Sequence, residues 1–199
     1  MISDYSNEAI QQFFKLVVSN NNNRICIDRS HNIILFGSII SSKPINILEL
    51  GIGMGYATKS ILLAIKYNNL GKLTCVDSCK DFAKIPNHFD ELKNQGANII
   101  IDQEESFINK QNPETYDFLV SDADHKKSIT WIKKTISIMK KDSIMFFHDT
   151  NNIEELKNLE SQLNKLGIFC IHFKKSSLPY ERCERGWLMA YKKNNEYKL

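Results

Sequence analysis

The sequence predicts an α/β fold: one domain on a seven-stranded, mostly parallel sheet with helices on both faces and a reversed strand at its end. Three observations carry this. After residue 44, apolar strand-like runs alternate with amphipathic helical stretches, the order expected of a parallel sheet whose crossovers are helices. The first run, Ile45 to Leu50, enters a helix through a turn with glycines at 51, 53 and 55, which lets the backbone bend sharply and approach a ligand. The last two runs, 168–173 and 186–191, have no helix between them, so they can pair as antiparallel neighbours.

Taken in order, the first 44 residues read as partly helical, with Ile10, Phe13, Phe14 and Val17 on one face. Such a segment covers a cleft or packs on the sheet edge. Strands are expected near 45–50, 73–77, 98–101, 117–121, 144–148, 168–173 and 186–191. Helices are expected near 57–67, 87–95, 104–109, 126–139 and 154–166. In the last helix Leu156, Leu159, Leu163 and Leu166 recur at helical spacing and Gly167 stops it; helix 126–139 carries Ile129, Ile132, Ile136 and Met139 in the same way. These stripes are core. Lys140 to Ser143 reads as the loop before the fifth strand.

A chain of 199 residues fits a single domain, with 1–44 as N-terminal cover and 45–191 as the α/β core. The net charge is only +3 and the lysine pairs are dispersed, so no nucleic-acid footprint is expected. No apolar run reaches the length of a membrane span, and Met1 to Tyr5 do not open a signal peptide; a soluble, cytoplasmic protein is expected. Five cysteines without a C-x-x-C pair disfavour a disulfide framework or zinc knuckle. Cys75 should lie buried in its strand.

The glycine turn reads E-x-G-x-G-x-G from Glu49 to Gly55, with Tyr56 where a dinucleotide fingerprint needs glycine. A carboxylate two places before the first glycine suits the amino group of S-adenosylmethionine and not a pyrophosphate. Asp77 ends the next strand, at the interval where nucleotide folds place the acid that accepts the ribose hydroxyls; helix capping is its other reading. Ser121-Asp122-Ala123-Asp124-His125 and Phe147-His148-Asp149-Thr150-Asn151 end two further strands at the carboxyl edge of the sheet. Adjacent parallel strands would bring Asp122 and Asp149 within reach of one ion, with Asn151 as a third oxygen. Oxygen ligands favour Mg²⁺; capping without metal is the alternative. His148, inside its strand, reads as a satisfied core histidine or one that supports the metal ligands.

Glu49-Leu50-Gly51, Gly55-Tyr56 and the acidic turns resemble the class I methyltransferases, in particular the metal-dependent O-methyltransferases of the catechol and caffeoyl-coenzyme A types and the bacterial family 24 enzymes. The resemblance spans about 45–191. It implies a Rossmann-like methyltransferase sandwich, S-adenosylmethionine as cofactor, Mg²⁺ and a small-molecule hydroxyl acceptor, with a homodimer as one assembly seen in relatives. Carried over, Glu49, Gly51, Gly53, Gly55, Tyr56 and Asp77 bind the cofactor, and Asp102 at the end of the third strand contacts adenine, with Gln103 and Glu104 as alternatives. Asp122 and Asp149 bind the metal. His125 stands where catechol-type relatives have a lysine base and takes that role, with Asp124 orienting it or capping the next helix; an imidazole titrates near neutrality. Thr150 departs from the pattern, since relatives often place a stronger ligand directly after the second Asp. A metal-independent N-methyltransferase, a cofactor-binding protein without catalysis and an NAD-dependent oxidoreductase are the competing readings.

Overall fold

The computed structural model describes residues 4–19, 27–80, 82, 84–123, 129–151, 154–156, 158–173 and 185–193. His125, Asp124, Tyr180 and most of the 174–185 loop lie outside the described residues. The elements run α1 (Asp4–Ser19), α2 (Arg29–Ser42), β1 (Asn46–Leu50), α3 (Tyr56–Asn68), β2 (Lys72–Asp77), α4 (His88–Asn94) and β3 (Ala97–Ile101). Then follow α5 (Glu104–Asn109), β4 (Tyr116–Ser121), α6 (Ile132–Ile138), β5 (Met139–His148), a 3₁₀ turn (Glu154–Leu156), α7 (Leu159–Lys165), β6 (Phe169–Phe173) and β7 (Trp187–Lys192). The seven strands form one sheet in the order β3-β2-β1-β4-β5-β7-β6. β7 is antiparallel to both of its neighbours and every other pairing is parallel.

The alternation of side chains along each strand explains the three layers. Ile47, Leu73, Cys75, Phe118, Val120, Phe146 and Trp187 face one core with Phe13, Phe36, Ile61 and Phe89 of α1 to α4. Leu48, Leu50, Val76, Leu119, Met145, Phe147 and Leu188 face the other, against Phe107, Ile132, Leu159 and Leu163 of α5 to α7. Both faces of the central strands are covered, which accounts for their nearly unbroken apolar runs. Between β5 and β6 the first core ends in a stack: Phe146 lies 5.0 Å from Trp187, and Trp187 lies 4.1 Å from Phe173.

Some sequence expectations are corrected. Lys140 to Ser143 is not a loop outside the sheet. β5 starts at Met139, which pairs with Tyr116; the register then shifts, with Asp142 at φ 61°, before Phe118 meets Ile144. The polar residues are thus absorbed in a bulge. The described part of the expected 126–139 helix is Ile132–Ile138, with Ile132, Thr135 and Ile138 buried and Ile136 only partly so. The expected 154–166 helix is a 3₁₀ turn followed by α7. Leu156, Leu159 and Leu163 are buried but Leu166 is 41 % exposed, because α7 ends in a left-handed Gly167 with Ile168 N–H bonded back to the Leu163 carbonyl. In α1, Phe13 and Val17 are buried while Phe14 is 59 % exposed.

Candidate active site

The glycine turn and the acidic turn sit together at the carboxyl edge of β1, β4 and β5. Gly51 adopts φ 86°, and a Cβ there would run into the carbonyl oxygen of Asp122. Only glycine permits that approach. The two turns are also tied by the hydrogen bond from Asp122 N–H to the Leu50 carbonyl, while Gly51 N–H bonds the Val76 carbonyl of β2, each at 2.8 Å. Gly55, at φ 77°, caps α3 and packs on Leu92.

Glu49 is fully buried below the turn. Its Oε2 accepts the Cys75 thiol at 3.1 Å, and its Oε1 has no hydrogen-bond partner among the described residues. Burial pushes its pKa up to about 8. A buried carboxyl oxygen that takes no hydrogen bond among the described residues, with the Thr58 hydroxyl beside the group, fits an ammonium ligand. Asp77 is spent on the turn itself: Oδ2 accepts Ile52 N–H at 2.8 Å and Gly53 N–H at 3.2 Å, and Oδ1 accepts Cys79 N–H at 2.7 Å. Its carboxylate holds the glycine loop in shape. Tyr56 begins α3 beside Gly55 and packs partly buried on the first core. Asp102 bonds Gln103 N–H and pairs with Lys110 at 2.9 Å at the start of α5.

On the far side, Asp122, His148 and Asp149 converge, each offering a ligand atom within 4.8 Å of the others. His148 Nδ1 lies 3.0 Å from Asp122 Oδ1 and 3.6 Å from Asp149 Oδ1. Burial opposes a charge on this ring, yet the two carboxylates outweigh it and hold its pKa up at about 10. Arg185 Nε stands 3.8 Å from Asp149 Oδ1. Asp149 itself is left-handed, φ 57°, a conformation costing a non-glycine residue about 1–3 kcal/mol. Its successors anchor it: Thr150 N–H bonds the Gly186 carbonyl and Asn151 N–H that of Arg185. The Thr150 hydroxyl points to His172 Nε2 at 3.0 Å, and His172 Nδ1 meets Glu160 at 3.1 Å. The Asn151 carboxamide packs against Gly186. Among the described His, Cys, Asp and Glu side chains, the one grouped with the two carboxylates is His148.

Sequence reasoning missed the start of α2. Asp28 and His31, both buried, face His148 from its other side: His31 Nδ1 is 3.7 Å from Asp28 Oδ2, and His148 Nε2 is 4.0 Å from it. Burial, followed by the neighbouring His148, lowers the His31 pKa to about 3, so it is a neutral imidazole. The D-x-x-H spacing, one helical turn apart, was the available signal.

A parallel sheet ending in a reversed β7, with a glycine turn after β1 and acids at the ends of β2 and β4, defines a class I, S-adenosylmethionine-dependent methyltransferase. The model of a methyltransferase-domain family, number 24, matches residues 48–150, and the chain belongs to that family. No curated protein matches it by sequence. Among solved structures it is similar to an O-methyltransferase from Bacillus cereus in complex with S-adenosylhomocysteine (13 % identity, TM-score 0.67, 94 % of this chain and 91 % of that one). It is also similar to the O-methyltransferase TomG of Streptomyces achromogenes, involved in tomaymycin synthesis, in complex with S-adenosylmethionine (11 %, 0.70, 96 % and 91 %). A methyltransferase from Podospora anserina bound to S-adenosylhomocysteine is a third (12 %, 0.65, 97 % and 89 %). Among the described residues no helix is long and apolar enough to cross a membrane.

Proposed function

We propose that this protein transfers the methyl group of S-adenosylmethionine to a hydroxyl of a small molecule, with a divalent cation at the carboxyl edge of β4 and β5. The observation that carries this reading is the convergence of Asp122, His148 and Asp149 beside the cofactor turn. The two carboxylates are oxygen donors that suit Mg²⁺ or a similar ion; the imidazole, which suits transition ions better, completes the set. Asn151 is kept as the alternative third donor. The ion, when bound, lowers the pKa of the acceptor hydroxyl and fixes its oxygen.

The rest is done by the chain. Glu49 receives the amino group of the cofactor, and Gly51, Gly53 and Gly55, with Tyr56, bring the backbone alongside it. Asp77 holds the turn and is the proposed ribose partner, and Asp102 is proposed for adenine. The acceptor proton goes to His125, which follows the acidic turn after β4. The enzyme works in the cytoplasm on a soluble acceptor, without nucleic acid or membrane, as a monomer or a homodimer.

The test is a calorimetric titration with S-adenosylhomocysteine, with and without Mg²⁺, followed by a hydroxyl-acceptor screen. Binding, with turnover that needs the ion and is lost in Asp149→Ala, supports the reading. Turnover indifferent to Mg²⁺ and to Asp149→Ala would favour metal-independent transfer, and no binding in either buffer would remove the cofactor assignment.

A further inference from the structure

We propose that Asp28, His31 and His148 form a second metal site, of the nitrogen-rich type that takes Zn²⁺, Co²⁺ or Ni²⁺, which fastens the start of α2 to the end of β5. Three side chains that are 6 %, 4 % and 4 % exposed place one carboxylate oxygen and two imidazole nitrogens within 4.8 Å of one another. Neither His31 Nδ1 nor His148 Nε2 has a hydrogen-bond partner among the described residues. Two buried ring nitrogens aimed at one carboxylate at ion-pair range, with no hydrogen bond among the described residues, are costly unless something sits between them. The separations of 3.7 and 4.0 Å are too long for hydrogen bonds. They exceed the roughly 3.3 Å between donors around a tetrahedral ion with bonds near 2.0–2.1 Å by about 0.4 and 0.7 Å. Closing the site takes a movement of both rings, from donors that all lie within 4.8 Å of one another.

The donor set decides the ion. Two imidazoles and one carboxylate suit zinc-like transition ions, whereas Mg²⁺ prefers oxygen. This site also differs from the one between Asp122 and Asp149, although both use the same ring. Against the cost of burial, the carboxylates beside His148 favour its charged form, so an ion at either site must displace a proton, and the neutral ring then has one lone pair. An ion on Nε2 leaves Nδ1–H to donate to Asp122, so the two sites exclude each other. A transition ion at Asp28 and His31 takes His148 from the edge where Asp122 and Asp149 meet. The site stands on α2 and β5 alone and holds whatever the acceptor proves to be.

The experiment is a titration of the full chain with Co²⁺, followed by visible ligand-field absorption, with X-ray absorption to count imidazole ligands. One equivalent bound through two imidazoles is expected. His31→Asn and Asp28→Asn should weaken it about 100-fold or more, beyond the 10–100-fold of an outer-sphere change, while Asp149→Asn retains it. Melting curves in ion-free buffer confirm that each variant folds. If His31→Asn does not fold, the imidazole count on the native chain decides alone. A count of one, binding lost in Asp149→Asn but not in His31→Asn, or no binding at all, as a single trapped water predicts, overturns the proposal.

Discussion

The thiol of Cys75 donates to Oε2 of Glu49 across 3.1 Å, in a place where neither side chain is exposed. The strand register explains it: Glu49 of β1 lies opposite Cys75 of β2, both on the face covered by α1 to α4. The carboxyl group titrates near 8 instead of 4.5 because water is excluded from it. The ligand-free protein therefore keeps Glu49 protonated at neutral pH, and an arriving ammonium must displace that proton. Affinity for S-adenosylhomocysteine should rise as pH approaches about 8, with proton release visible in calorimetry across buffers of different ionisation enthalpy. A flat profile would mean that Glu49 does not meet the amino group.

Stability should move the other way. With a folded pKa of about 8 above an unfolded value near 4.5, the folded state holds the extra proton between those values. The stabilisation is complete below 4.5 and is lost as pH rises through about 8. Glu49→Gln should flatten this slope and melt above the parent protein at alkaline pH while binding cofactor poorly. Thermal melts of both proteins across the range check it.

Gly51→Ala combines a left-handed backbone with a collision against the Asp122 carbonyl. Backbone cannot yield as a flexible side chain would. A loss of about 3 kcal/mol or more is expected, from strain and displacement together, measured by urea denaturation of whatever soluble protein is obtained.

Asp77→Asn leaves one carbonyl oxygen where two oxygens now accept from Ile52, Gly53 and Cys79. At least one backbone N–H loses its partner, at about 1–3 kcal/mol. Cofactor affinity should fall at least in step, because the turn loses its shape; a melt and a titration on the same sample separate the two effects. Unchanged affinity would remove Asp77 from the cofactor site.

Thr150→Val keeps the shape of the side chain but strands His172 Nε2, now 3.0 Å from the hydroxyl. About 1–3 kcal/mol of stability should be lost. Asp149 keeps its backbone anchors, because Thr150 N–H and Asn151 N–H still bond the Gly186 and Arg185 carbonyls, so calorimetry with Mn²⁺ should show little change in affinity.

Much of this was legible in the sequence because it is local. Glu49, Gly51, Gly53 and Gly55 stand within one turn, and the burial of Cys75 follows from strand alternation. The bulge in β5 was not legible: Lys140 to Ser143 looks like a polar loop, and only pairing with β4 and β7 makes it strand. Thr150 reads as a weak metal ligand in the sequence, which does not show that its hydroxyl meets His172, from a strand two positions away in the sheet. Asp28 and His31 lie more than a hundred residues before His148. No periodicity predicts that meeting, because tertiary packing of α2 over the sheet creates it.

The contact between Gly51 and the Asp122 carbonyl, with Asp122 N–H bonded to Leu50, makes the cofactor turn and the acid turn one mechanical piece. Whatever displaces one by a fraction of an ångström displaces the other. By thermodynamic reciprocity, any factor by which an occupant of the glycine turn changes cation affinity must equal the factor by which the cation changes affinity for that occupant. Order of addition then leaves the final energy unchanged, and any coupling between two such ligands runs through the backbone of one residue, Asp122.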